Sequence, residues 1–242
     1  IALYCTYLFA KHLTKHHLIS LLMAFLFVIS PLYFRFTVYW PFFSDVFIFM
    51  PLLLLSIERY LTCKKIGLFI VTTSLILINN FYFAYYLLII GAGYIILRIL
   101  FRHPNDLANR KQALCIFGIS GFLSFGNSLF IFYHSVQSYL NNRRVPFSGK
   151  VPHFEHLDAN TNLFFDNYLI VILFITIQAI LSFKLYKHFY YRIFAILTII
   201  FICFNFIPFI DQLFNGFSAP QKRWHFIIAF NSAMLIGLYV KY

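Results

Sequence analysis

Few side chains in this sequence are suited to chemistry: one carboxylate placed to take a proton, a handful of guanidinium groups, and some amides and phenols able to hold hydroxyls. Asp45 follows the aromatic stretch WPFFSD and opens DVFIFMPLLLLSIERY. An acid there either caps the helix and favours its dipole or acts as a base toward an acceptor hydroxyl. Pro51 in the same segment predicts a kink that opens a cavity. Asn79, Asn80 and Tyr82, in INNFYFAYY, read as a helix-ending turn or as amides and a phenol that bind sugar hydroxyls. Arg143 and Arg144 form one basic pair, and Lys222 and Arg223 form a second directly before Trp224. Such residues either anchor a chain at lipid headgroup level or bind phosphate, which a guanidinium grips through two parallel hydrogen bonds. Asn215 belongs to the same outer stretch, FIDQLFNGFSAPQKRW. The segment HFEHLD, from His153 to Asp158, offers two imidazoles and two carboxylates without a metal-ligand spacing, so no metal site is expected.

The elements that position these groups follow from composition. The chain is 62% hydrophobic and 11% charged, with a mean hydropathy of +0.81, outside the range of a water-soluble domain. Its apolar runs are continuous and do not alternate, which selects helices over a β-barrel. The expected fold is all-α, a polytopic transmembrane bundle of about eight to nine spans in one domain covering residues 1–242. The apolar runs lie near 1–10, 18–34, 46–61, 66–79, 82–99, 112–133, 168–183, 189–208 and 225–240. A formal net charge of +12 would suggest nucleic acid in a soluble protein, but here basic residues punctuate apolar runs. Topology control and contact with anionic membrane lipid are the better explanation, with no nucleic-acid partner. Cys5, Cys63, Cys115 and Cys203 are far apart, so no disulfide framework is expected.

Charge sets the expected orientation. Lys11, Lys15, Arg59, Lys64, Lys65, Arg98, Arg102, Arg110, Lys111, Lys184, Lys187, Arg192 and Lys241 fall on one side of the alternating loops, taken as cytoplasmic. Arg35, Arg143, Arg144, Lys150, Lys222 and Arg223 fall on the other. So do the acids Asp45, Glu155, Asp158, Asp166 and Asp211. Two outer segments, 134–167 and 209–224, are more than connectors: the first is long for a loop between packed helices, and the second interleaves aromatic with polar residues as an interfacial segment does. Glu58 and Arg59 sit near a cytoplasmic helix end, where they snorkel or pair. A proton- or ion-driven transporter needs a carboxylate near the midplane, and the apolar runs place none there.

Four pieces carry a family resemblance: YWPFFSDVFIFMPLLLLSIERYLTCKK, LILINNFYFAYYLLI, RRVPFSG and FNGFSAPQKRWHF. In their order and spacing, which cover most of the chain, they resemble the YfhO family of bacterial membrane proteins. That resemblance implies a multi-pass protein of the bacterial cell membrane, similar to C-type glycosyltransferases. These enzymes take a sugar from a polyprenyl-phosphate carrier and add it to a cell-surface acceptor, lipoteichoic acid being the one associated with the family.

In such enzymes the principal catalytic carboxylate lies in the first outer loop, which here would precede Ile1. The chain is therefore expected to be a fragment that holds scaffold and part of the substrate pocket. The resemblance implies displacement at an anomeric carbon through an oxocarbenium-like transition state, with lipid phosphate leaving and no cofactor. Asp45 is the candidate catalytic residue, and Asn80, Tyr82, Arg143, Arg144, Asn215, Arg223 and Trp224 are the candidate substrate-binding residues. A lipid-linked sugar flippase and a non-catalytic envelope-assembly scaffold are the rival functions.

Overall fold

Backbone amides shielded from water must find partners within their own segment, and the continuous apolar runs satisfy this by helix formation. The computed structural model describes residues 1–141, 149–154, 174–217 and 219–242. Among these, all regular structure is helical. The chain divides into two compact units, Ile1–Phe47 with Pro146–Tyr242, and Ile48–Val145.

The first unit contains α1 (Ala2–Thr14), α2 (His17–Val28), α3 (Pro31–Tyr39) and a 3-10 turn at Pro41–Phe43. It resumes with α8 (Phe174–Leu181), α9 (Phe189–Phe204), α10 (Pro208–Phe214), a 3-10 turn at Arg223–His225 and α11 (Phe226–Lys241). Proline punctuates this unit. Pro31 and Pro208 stand at helix starts, where the missing N–H costs nothing. The axis bends by 50° between α2 and α3 and by 103° between α9 and α10. The core forms around α11, which is buried from Phe226 to Leu238 and packs on α9, α2 and α8. Phe230 meets Phe9 and Phe27 at centroid distances of 5.6 and 5.0 Å, and Phe27 stacks on Phe47 at 4.6 Å. Gly237 lets α2 approach: a Cβ there would lie 2.1 Å from Met23 Cγ.

The second unit holds most of α4 (Val46–Cys63), with α5 (Gly67–Asn79), α6 (Phe81–Leu100) and α7 (Arg110–Leu140). Asn80 caps α6, its side-chain oxygen accepting the Tyr82 and Phe83 N–H groups at 3.1 and 3.4 Å. Asn109 caps α7 through Gln112 N–H at 2.7 Å. Small residues join α5 to α7, where Ser124 Oγ donates to Ile70 O at 3.2 Å and Ser74 Oγ donates to Ser124 O at 3.4 Å.

The ends of α4 and α6 are tied by charge. Arg98 donates through Nε and Nη2 to Glu58 at 2.5 and 3.2 Å, and through Nη1 and Nη2 to Asp106 at 3.2 and 2.8 Å. Tyr94 adds a hydrogen bond to Glu58 at 2.8 Å. Asp106 also accepts the His103 N–H at 2.9 Å, and the Leu107 N–H reaches Leu61 O at 2.9 Å. The segment after α6 is thereby folded back on α4.

Several expectations change. Among the described residues, four helical stretches are long and apolar enough to cross a membrane, Pro41–Cys63, Phe81–Leu100, Arg110–Leu140 and Arg223–Lys241, and the count rises to six if each bent pair is one span. The described residues thus give four to six candidate spans, and one apolar run between them folds as a shorter helix. The run at 66–79 gives a helix of 13 residues, about 20 Å against a hydrocarbon layer of about 30 Å. Of the run at 168–183, positions 168–173 lie outside the described residues, and the rest contains α8. The segment 134–167 does not begin as a loop, since α7 continues to Leu140. Arg98 belongs to the last turn of α6 and not to the loop after it. Arg59 is exposed, whereas its neighbour Glu58 is fully buried.

Candidate functional site

The chain from α3 to α4 is a run of aromatic residues turned tightly on itself. Pro41 opens the 3-10 turn, and Ser44 closes it by donating through Oγ to Pro41 O at 2.6 Å. Phe43 is buried edge-on against Phe36 at 5.4 Å and lies 5.8 Å from the Trp40 ring. Asp45 follows as a half-buried residue just outside α4, whose first residue is Val46. It thus stands where a helix-capping acid or a base at a helix mouth would stand.

Arg223 reaches this turn from the other end of the sequence. Its guanidinium carbon lies 5.3 Å from the centroid of the Phe43 ring, within the range of a cation–π contact. What holds it there is the burial of its neighbour. Trp224 is wholly buried, stacked on Phe214 at 5.5 Å and packed on Phe201 at 5.8 Å. Its indole N–H donates to Asp211 Oδ1 at 2.6 Å. Next to it, buried His225 shares a 2.7 Å hydrogen bond between Nε2 and Asn205 Oδ1. The anchor of Trp224 fixes the backbone at 223 and leaves the half-buried arginine side chain on the aromatic turn.

The segment between α10 and Trp224 is a second tight structure. Asn215 Nδ2 donates to Ala219 O at 2.6 Å, and the Phe217 N–H returns to Gln212 O at 2.8 Å. Gly216 and Phe217 take φ values of 62° and 60°, a left-handed backbone that glycine accepts freely and a bulky phenylalanine adopts at a cost of about 1–3 kcal/mol. Within 209–224, polar Asp211 is buried, whereas Phe209 and Phe217 are exposed.

Of the candidates read from sequence, Asp45, Asn215, Arg223 and Trp224 fall in the first unit. Trp224 is packed as an internal brace, with neither face exposed for headgroup contact, and Asn215 holds a turn. Asn80 and Tyr82 belong to the second unit. There the Asn80 oxygen caps α6 and the Tyr82 hydroxyl lies 2.7 Å from that of Tyr86. Arg143, Arg144 and Glu155 to Asp158 of HFEHLD lie outside the described residues. Sequence reasoning passed over Asp211 as a partner of Trp224 and Arg35 as a partner of Trp40, whose ring centroid is 5.9 Å from the guanidinium carbon. Against the first there was no local signal, because thirteen residues and a turn separate the pair. For the second, the short spacing of Arg35 and Trp40 within one aromatic stretch was a usable cue.

The family model described as "Bacterial membrane protein YfhO" matches residues 1–242. The chain belongs to the YfhO family. It is 40% identical over 224 residues to "Uncharacterized protein YfhO" of Bacillus subtilis (strain 168), a match that covers 92% of this chain and 25% of that relative. The chain thus spans about a quarter of the length of the curated YfhO protein it matches. No solved structure matches it. Family membership and the long apolar helices together make this a membrane protein.

Proposed function

We propose that the full-length protein is a membrane glycosyltransferase of C-type architecture, to which residues 1–242 contribute about eight to nine spans. It moves a sugar from a polyprenyl-phosphate carrier to an acceptor outside the bacterial cell membrane, such as lipoteichoic acid. The observation that carries this reading is Arg223 held over the Phe43 ring, two positions before the half-buried Asp45. A phosphate-binding cation and a carboxylate are the two groups that glycosyl transfer from a phosphate carrier requires.

The acceptor oxygen attacks the anomeric carbon, and the bond from that carbon to the phosphate oxygen breaks, its electron pair leaving with the lipid phosphate. The hydroxyl proton passes to a carboxylate, with Asp45 in that role or assisting an acid elsewhere in the full-length chain. Arg223 offsets the charge that grows on the departing phosphate. Trp224 and Asp211 act through Arg223 by fixing its backbone.

The test is sugar transfer by full-length protein in nanodiscs, with a labelled polyprenyl-phosphate sugar and a lipoteichoic acid acceptor. Asp45→Asn is expected to lower turnover by about a hundredfold or more, the range for loss of a positioned base, while the amount of folded protein stays level. Parallel loss of turnover and folded protein would identify Asp45 as a helix cap only. Movement of the lipid-linked sugar across the bilayer with no transfer would establish a flippase instead.

A further inference from the structure

We propose that the end of the second unit where α4 and α6 finish and α7 begins is a binding surface for anionic phospholipid headgroups. The inference stands apart from the reading of Arg223 and does not require sugar transfer. It starts from the balance of charge. The unit Ile48–Val145 contains two acids, Glu58 and Asp106, and both are buried and paired with Arg98. The exposed charges at this end, on Arg59, Lys64, Lys65, Arg102, Arg110 and Lys111, are therefore all positive. Hydrogen bonds gather them into one patch. The Leu107 and Ala108 N–H groups both donate to Leu61 O, at 2.9 and 3.3 Å, which sets the connection between α6 and α7 against the last turn of α4, beside Lys64 and Lys65. Arg102 Nη2 donates to Asp106 O at 3.0 Å, and Arg110 Nη2 donates to Leu100 O at 3.5 Å. Each of these bonds uses a single N–H of the guanidinium and ties its charge to the connection.

A surface of this kind needs no convergence on one anion, because each cation meets a different headgroup. The candidate spans Pro41–Cys63, Phe81–Leu100 and Arg110–Leu140 all have an end here, so the patch lies where hydrocarbon gives way to headgroups. Attraction to an anionic leaflet is worth about fivefold in affinity for each basic side chain near it. Leu100, Leu107 and Leu114 are exposed beside the same cations and supply apolar contact for the upper acyl chains. Cations joined to exposed leucines at the ends of spans favour lipid over an acidic soluble partner, which would match the charge alone. Arg98 has a second effect here: by holding Glu58 and Asp106 inside, it withdraws the negative charges that would repel such headgroups.

The experiment uses full-length protein in phosphatidylcholine nanodiscs, with a fluorophore on Cys63 and every other cysteine replaced. Cys63 is exposed and directly precedes Lys64. Quenching by phosphatidylglycerol that carries a nitroxide near the top of one acyl chain is compared with quenching by phosphatidylcholine labelled in the same way. Phosphatidylglycerol is expected to quench more strongly at Cys63, and this preference should fade as salt screens the charges. A fluorophore on Cys203, exposed in the first unit, should show a weaker preference. Lys64→Gln with Lys65→Gln should lower the preference at Cys63 by about fivefold or more, while Lys64→Arg with Lys65→Arg keeps it. Gln112→Glu adds an exposed acid in the first turn of α7, where the helix tolerates one, and should lower the preference by about twofold or more. Equal quenching by the two lipids in the wild type would overturn the proposal, as would a preference unchanged in the Lys64→Gln and Lys65→Gln variant. The same preference and the same loss at Cys203 would also overturn it, by tracing the effect to the charge of the whole protein.

Discussion

Replacing Arg98 by methionine removes a cation from between two carboxylates that have no access to water. The Arg98 and Glu58 side chains are 0% exposed and that of Asp106 is 2% exposed. Loss of one partner from a buried ion pair costs about 3–5 kcal/mol, because the remaining charge has lost its hydration as well as its counterion. Here two carboxylates are stranded, and the hydrogen bond from Arg98 Nη1 to Phe101 O is lost with them. The expected cost is therefore at the upper end, roughly 5 kcal/mol, comparable to the whole stability of a modest domain. A triple variant, Glu58→Met, Arg98→Met and Asp106→Asn, removes the stranded charges and keeps an acceptor for the His103 N–H. It should recover most of the loss, since apolar replacements of buried ion pairs are often neutral or stabilising. Arg98→Lys should fall between them, because one ammonium cannot reproduce the fork that spans both acids. The assay is reversible denaturant unfolding of purified protein in detergent. Unfolding of Arg98→Met within about 1 kcal/mol of wild type would refute the reasoning, as would a triple variant no more stable than the single one.

Gly237→Ala should destabilise the protein by about 1–3 kcal/mol through overpacking, because its Cβ would lie 2.1 Å from Met23 Cγ. Gly118→Ala, where a Cβ meets nothing within 4 Å, should instead leave stability level or raise it by about 0.5–1 kcal/mol; thermal melts of the two variants side by side test the packing of α11 on α2. For topology, single cysteines replacing Asn105 and Lys150 in a cysteine-free background should label differently with an impermeant thiol reagent on intact cells. Position 150 should react and position 105 should not, and the reverse pattern would invert the proposed orientation.

Composition and the continuity of the apolar runs were sufficient to establish a helical membrane protein, because the demand for internally satisfied backbone amides leaves few other solutions. Local chemistry was legible in part: the turn at Asn79 and Asn80 between two helices, and the family kinship carried by the four quoted pieces, but not the helix breaks before Pro31 and Pro208, which the apolar runs 18–34 and 189–208 pass through. The number of crossing helices was not legible. Hydropathy marks where a run is apolar but does not distinguish a lipid-facing span from a short helix packed against its neighbours, as at α5.

The candidate site depended on tertiary structure for the same reason. Arg223 and Phe43 are 180 positions apart, Trp224 turns inward only because Asp211 awaits its indole N–H, and Glu58 is paired only because Arg98 and Asp106 fold onto it. A residue's own type determines which bonds it can make. Which of them form, and whether its charge is buried, is decided by side chains that the chain brings together only when it folds.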